Sequence, residues 1–182
     1  MVKIVIQRTK RSYDYKFSPK KKSDYGNNAK NNSLDWLVLY CNGEEITRLR
    51  CQSVQNLDWG KNASAGKLAY GDTIAPGSFL LRLWAQPRKF KGSVHEIIRC
   101  KTLNGLAIND NAMQIVNGHE NGRWLIHNKY NSTTHKDTNF AWSAGCIIVK
   151  TGDMELLDSA LKALNLTPGM IISGEIIEVN NA

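Results

Sequence analysis

Residues 34–50, LDWLVLYCNGEEITRLR, carry the strongest indication of the fold. An apolar and aromatic run, DWLVLYC, and a run that mixes charged with apolar and β-branched residues, EEITRLR, flank Asn42-Gly43, a pair typical of the two-residue turn of a β-hairpin. This hairpin would place Cys41 opposite Glu44. Other strand-like runs occur along the chain, most of them separated by Gly, Asn or Pro: KIVIQRT (3–9), GSFLLRLWA (77–85), SVHEIIRC (93–100), AMQIV (112–116), RWLIHN (123–128), GCIIVK (145–150) and GMIISGEIIEV (169–179).

One helix interrupts this pattern near the carboxyl end. In residues 151–169 the apolar side chains recur on a single helical face, and they are Met154, Leu157, Leu161 and Leu164. Thr151 or Asp153 can cap its start, and Pro168-Gly169 can end it. The sequence therefore predicts a mostly β (α+β) fold with one convincing helix, built as a single domain over residues 1–182.

Positive charge is concentrated at the amino end. The net charge is +8, and residues 1–30 contain nine Lys and Arg, Arg8 among them, against two Asp. Residues 12–33 are polar and rich in turn formers, which predicts a basic loop-rich segment. A solvated loop and a contact with an anionic polymer are both compatible with this pattern. We do not expect nucleic acid as the partner, because no stacking or nucleic-acid motif accompanies the charge.

Composition limits the location and the cross-linking of the chain. No apolar run approaches the roughly 20 residues of a membrane span, so no span is expected. The amino end has no secretory signal pattern, which predicts either action inside the cell or export by another route. The four cysteines lack metal-type spacing, and the hairpin would put Cys51 near Leu34, away from Cys41. We expect four thiols, three of them packed as small apolar side chains.

The stretch FAWSAGCIIVK, residues 140–150, raises the question of whether Cys146 is buried packing or a nucleophile. A nucleophilic thiolate needs a nearby base and a backbone that can approach an oxyanion. The small residues Ala144 and Gly145 allow such a turn, with the amides of Gly145 and Cys146 as donors. His127, in the strand-like RWLIHN, is the candidate base, and as an imidazolium it would lower the pKa of Cys146 by favouring the thiolate. A core cysteine beside a hydrogen-bonded histidine is the competing interpretation.

Other polar and aromatic residues have two interpretations each. Trp142 would line a substrate groove or close a loop, and Asn128 would orient His127 through its side chain or cap a strand end. His135 lies in the polar stretch NSTTHKDT and is a poorer base. His119, His127, His135 and Cys146 do not have the spacing of a compact zinc site, so we expect no metal and no organic cofactor.

The segment IHNKYNSTTHKDTNFAWSAGCIIV resembles the signature of the L,D-transpeptidase (YkuD-like) family, a histidine followed by a Ser/Thr-x-Gly-Cys motif. Upstream, YGDTIAPGSFLL resembles a Pro-Gly strand of the same family. The resemblance covers about residues 68–150. It implies a β-sandwich or barrel with one helix after the strand of the catalytic cysteine.

The resemblance assigns roles to individual residues. Cys146 matches the nucleophile, His127 the base, Ser143 the hydroxyl residue of the motif and Gly145 the glycine of the oxyanion turn. Two positions depart from the pattern, because many members have a histidine at the position of Ala144 and an arginine at the position of Ile148. Together with Trp142 and Asn128, Ala144 forms the expected substrate-binding set.

These matches imply acyl transfer on peptidoglycan tetrapeptide stems, as an L,D-transpeptidase or L,D-carboxypeptidase that exchanges or releases the terminal D-alanine. The GCII ending is similar to that of toxic effectors delivered between bacteria by type VI secretion. That similarity implies action in the periplasm or cell wall after specialised delivery, with an immunity or delivery protein as a further partner. Two alternatives stay open: a non-catalytic phage or envelope module that binds the wall, and an anionic-polymer binder that uses the basic segment.

Overall fold

A computed structural model describes residues 1–14, 35–54, 73–85, 93–109, 124–128, 143 and 145–180. Its strands are β1 (Val2–Thr9), β2 (Asp35–Cys41), β3 (Glu44–Gln52), β4 (Gly77–Arg82), β5 (Val94–Ile98), β6 (Cys100–Lys101), β7 (Ala107–Ile108), β8 (Leu125–Asn128), β9 (Ile147–Val149) and β10 (Ile171–Val179), and its α-helix is α1 (Thr151–Ala163).

Eight of these strands close into a barrel. Their order around it is β1, β10, β4, β5, β8, β9, β3 and β2, and β2 pairs with β1 again. Strands β6 and β7 form a separate two-stranded sheet. The mostly β prediction with one helix after the strand of Cys146 is confirmed for the described residues, whereas the strand predicted over 112–116 lies outside them.

The hairpin β2–β3 forms as predicted, with one irregularity. Cys41 lies opposite Glu44, but a bulge at Ile46 shifts the register, so that Cys51 lies opposite Asp35. The prediction of Cys51 near Leu34 is therefore off by one residue, because a single extra residue in one strand displaces all later pairs. All four cysteines are thiols, as predicted, but Cys41 and Cys100 are only half-buried, so Cys51 alone fully meets the prediction of a packed apolar side chain.

Alternating side chains fill the barrel. The interior cluster includes buried residues from each of the eight barrel strands, among them Ile4, Ile6, Leu37, Leu39, Leu49, Cys51, Phe79, Leu81, Ile97, Ile126, Ile147, Val149, Ile172 and Ile176. The ring of Phe79 lies over Gly174, its partner on β10, at a position where any added Cβ would clash with the ring. The period-two alternation of the strands thus separates an apolar interior from an outer face.

Helix α1 packs on this interior through Met154, Leu157 and Leu161, which confirms the predicted apolar face. Its N-cap is Lys150, which makes no side-chain capping bond within the described residues, so the prediction of Thr151 or Asp153 as the cap is wrong. Asp153 still lies in the first turn, where its negative charge interacts favourably with the helix dipole and stabilises the helix.

The helix ends earlier than predicted. Asn165, with a positive φ of 59°, follows the C-cap, and its amide donates to the carbonyl of Lys162. The amide of Leu166 donates to the carbonyl of Leu161, which completes a Schellman motif. This motif, rather than Pro168-Gly169, stops the helix.

The amino end contributes a buried polar network. The side chain of Arg8 is fully buried, and its guanidinium donates to the Ser53 hydroxyl (2.8 Å), the Ser53 carbonyl (2.9 Å) and the Ile74 carbonyl (2.8 Å). Arg8 is therefore not part of any basic surface. A 3-10 helix, Lys10–Asp14, follows β1 and occupies the start of the segment predicted as a loop, and residues 15–34 lie outside the described part.

Within the described residues, no helix combines the length and the apolar character needed to cross a membrane.

Candidate active site

The turn before β9 holds Cys146 in place through Ser143. The Ser143 hydroxyl donates to the carbonyl oxygen of Cys146 at 2.6 Å and accepts from the amide of Gly145 at 3.2 Å. Gly145 has a φ of +131°, a conformation that side chains with a Cβ rarely adopt. The glycine is therefore required by the turn, as the sequence indicated, and Ser143 acts as a positioning residue.

Strand register brings Cys146 and His127 to one side of the sheet. Strands β8 and β9 are parallel neighbours, with Ile126 beside Ile147 and His127 beside Ile148. Ile126 and Ile147 belong to the interior cluster, so His127 and Ile148 face outward. Cys146 lies two residues before Ile148 and shares its cluster, and it therefore occupies the same outer face as His127.

This part of the outer face is apolar and covered. Val94, Leu125, Cys146 and Ile148 form a second buried cluster, separate from the barrel interior. Cys146 and His127 are each only 7% exposed. The candidate nucleophile and the candidate base thus share an environment of low polarity, in which charged forms are disfavoured.

The hydrogen bond of His127 fixes which nitrogen can act as a base. Its Nδ1 contacts the backbone carbonyl oxygen of Asn128, which can only accept, so Nδ1 carries the proton. The lone pair of the neutral ring then lies on Nε2. Asn128 thus orients His127 through its main chain, and the predicted contact through its side chain is replaced by this one.

Burial also sets the charge of His127. Desolvation lowers the pKa of His127 from 6.5 to about 4, although the bond to Asn128 acts in the opposite direction. The ring is neutral at physiological pH. A standing imidazolium that stabilises a Cys146 thiolate, as the sequence-based mechanism assumed, does not agree with this pKa, because the low-polarity surroundings penalise the cation.

One of the two predicted oxyanion donors, the amide of Gly145, already makes a hydrogen bond within the turn. Because the amide of Gly145 donates to the Ser143 hydroxyl, it must leave that bond before it can hold an oxyanion. The role predicted for the amide of Cys146 stays a prediction. Trp142 and Ala144 lie outside the described residues, as do His119 and His135.

One residue of this face was not anticipated. Gln52, at the end of β3, is the register partner of Ile148, which is itself the partner of His127. Its side chain is on the outer face, because its neighbour Cys51 points into the barrel. Alternation along RLRCQ could have placed Gln52 on that face, but the pairing of β3 with β9 joins residues about 100 apart, and no local pattern encodes it.

No set of three His, Cys, Asp or Glu side chains suited to a metal ion occurs among the described residues. The prediction that no metal is needed stays a prediction, because two of the four histidines lie outside that part of the chain.

Comparison with known proteins gives one informative relative. A protein of Treponema pallidum (strain Nichols), described as an uncharacterized protein, is 33% identical over 180 residues, which cover 98% of this chain and 81% of the relative. The chain belongs to the family of this treponemal protein. Membership in this treponemal family extends over almost the whole chain, beyond the part that resembles the transpeptidases. No protein-family model and no solved structure matches the chain.

Proposed function

We propose that the protein is a cysteine acyl-transfer enzyme that acts on peptidoglycan stem peptides, as an L,D-transpeptidase or L,D-carboxypeptidase. The observation that carries the proposal is the shared outer face of β8 and β9: His127 on β8 and Cys146, one residue before β9, lie on the same side of the sheet, and Nε2 is the nitrogen of His127 that can accept a proton. The resemblance of the SAGC and IHN motifs supports the same assignment of nucleophile and base. The site of action would be the cell wall.

The chemistry follows from a neutral base. As Cys146 Sγ bonds to the carbonyl carbon between the third stem residue and the terminal D-alanine, the thiol proton passes to His127 Nε2. Collapse of the tetrahedral intermediate breaks the C–N bond, and the proton on Nε2 goes to the departing amine. Water or a second amine then attacks the thioester, which frees Cys146 and yields either the trimmed peptide or the transferred product.

The pKa of His127 fits general base catalysis better than a preformed ion pair. A ring with a pKa of about 4 is unprotonated at neutral pH and can accept a proton, although it is a weaker base than an ordinary histidine. Activity should therefore persist at pH 6, where an unperturbed histidine would be largely protonated.

The proposal is tested by incubating the protein with purified muropeptides that carry tetrapeptide stems, followed by mass spectrometry. We expect loss or exchange of the terminal D-alanine with the wild-type protein and none with a folded Cys146→Ala variant. Cys41→Ala is the matched control, since Cys41 is half-buried on β2 and should affect only stability. Activity that survives in folded Cys146→Ala would refute the assignment. Binding without any change of the peptide would favour the non-catalytic wall-binding module.

A further inference from the structure

The side-chain amide of Gln52 is buried without a hydrogen-bond partner among the described residues. Gln52 is 3% exposed, and within the described residues neither its Nε2 nor its Oε1 has a hydrogen-bond partner. Buried amides are almost always hydrogen-bonded in folded proteins, because removing the group from water is otherwise costly. An amide left in this state on a candidate active-site face indicates a group whose partner is supplied from outside the chain.

The position of Gln52 ties it to the site of Cys146. Gln52, Ile148 and His127 form a row across three adjacent strands, β3, β9 and β8, and all three face outward. Neighbouring strands are about 4.8 Å apart, so this row spans about 10 Å. Cys146 lies next to the row, two residues before Ile148. A peptide that runs along this face from Cys146 toward Ile148 would therefore pass within reach of the Gln52 side chain.

The neighbours of Gln52 on β3 and β9 do not hydrogen-bond to its amide, which can therefore bind a ligand. Ile148 beside it is apolar, and the guanidinium of Arg50, on the same face of β3, stacks on the Trp36 ring at 3.6 Å. A carboxamide presents one acceptor and two donors without net charge. Such a group complements the N–H and C=O of an extended peptide residue, and it is a poorer match for an isolated carboxylate.

We infer that Gln52 binds the main chain of the peptide substrate beside Cys146, with Nε2 donating to a substrate carbonyl and Oε1 accepting from a substrate N–H. The inference rests on the proposed function, since it takes the stem peptide as the ligand. It adds a specificity-determining residue on β3, in a part of the chain outside the transpeptidase-like motifs.

The test replaces Gln52 with methionine, which keeps the length of the side chain and removes its hydrogen bonds. Two hydrogen bonds to substrate are lost, so kcat/KM for D-alanine release should fall about tenfold or more, mainly through KM. The melting temperature should stay the same or rise, because the variant no longer buries an unpartnered amide. Gln7→Met is the matched control: Gln7 is half-exposed on β1, two strands from β3, and its side chain accepts from the exposed Arg48 rather than facing Cys146, so the substitution should leave kcat/KM unchanged.

Two results would overturn the inference. An unchanged kcat/KM in Gln52→Met would show that the amide does not contact substrate, and a lowered melting temperature would show that it has a structural partner in the unliganded protein. Protection of Cys146 from iodoacetamide by the muropeptide gives a binding readout that needs no turnover. Wild-type protection without turnover refutes the proposed function alone, and protection of Gln52→Met at the same muropeptide concentration refutes the inference alone. A wild-type protein that shows neither protection nor turnover refutes both.

Discussion

The depressed pKa of His127 makes the stability of the protein depend on pH in a predictable direction. In the unfolded chain the imidazole takes up a proton as the pH falls through 6.5, whereas in the folded protein it stays neutral until about pH 4. Protonation therefore favours the unfolded state over this interval. The stability associated with neutral His127 is complete above pH 6.5 and is lost as the pH falls toward 4, by about 3 kcal/mol in all.

The perturbation that isolates this contribution is His127→Asn, because the Asn amide can still donate to the carbonyl of Asn128 but does not titrate. Urea unfolding of the wild-type protein and the variant, measured at intervals from pH 7.5 to pH 4, gives the free energy of unfolding of each. We expect their difference to change by about 3 kcal/mol across the range, with the wild type losing stability faster. Carboxylates and other shared groups cancel in this difference. Ser173→Ala, an exposed substitution that removes no titrating group, is the control, and its profile should run parallel to that of the wild type.

Two outcomes would refute this reasoning. Parallel pH profiles for the wild type and His127→Asn would show that His127 titrates normally in the folded protein. A wild type that gains stability relative to the variant as the pH falls would show a raised pKa, which is the signature of an imidazolium held beside a thiolate. The second result would restore the ion-pair mechanism that the sequence alone suggested.

Two further substitutions test the elements that support the site and the barrel. Ser143→Ala removes the hydrogen bonds to Gly145 and Cys146, so it should lower the free energy of unfolding in urea by about 1–3 kcal/mol and reduce D-alanine release. The control is Ser173→Ala, on the exposed face of β10, which should leave stability unchanged. Equal stability of the two variants would contradict this prediction. The Asp35 carboxylate accepts four hydrogen bonds, from Thr9, Ser12 and twice from Ser53. Asp35→Asn places an amide donor among these donors and should lower the free energy of unfolding by about 2–3 kcal/mol. A loss below about 0.5 kcal/mol would show that this network is dispensable.

The sequence predicts those parts of the fold that local patterns encode. The Asn42-Gly43 turn sets the first pairs of the hairpin, and alternation along β1, β8 and β10 separates inward from outward side chains. The bulge at Ile46 could not be predicted, because nothing in EEIT distinguishes a paired residue from an extra one. Barrel closure through β1–β10 and β3–β9 joins distant parts of the chain, and such pairings depend on the whole core rather than on any local run.

For the candidate site, the sequence predicts residue types better than their states. Cys146, His127 and the Ser143–Gly145 turn are recognisable from their motifs, and strand register puts Cys146 and His127 on one outer face. The charge of His127 was not recognisable, since its pKa depends on burial to which the neighbouring strands β5 and β9 contribute. Arg8 shows the same difficulty, because a basic residue in a basic segment proves to be a buried structural donor. Burial is a property of tertiary packing, and charge states follow from it.

The neutral His127 and the unpartnered Gln52 have a common physical origin. Both are polar side chains on the outer face of a barrel whose stability comes from the interior cluster, and both are buried beside Ile148, their shared register partner on β9. Their burial opposes folding, and the interior packing offsets that cost. In return the polar atoms keep fixed positions and are shielded from bulk water, so a peptide that binds there would meet preorganised hydrogen-bonding groups. The hydrogen-bonding capacity that the chain leaves unused at Gln52 therefore marks the direction from which a substrate would bind.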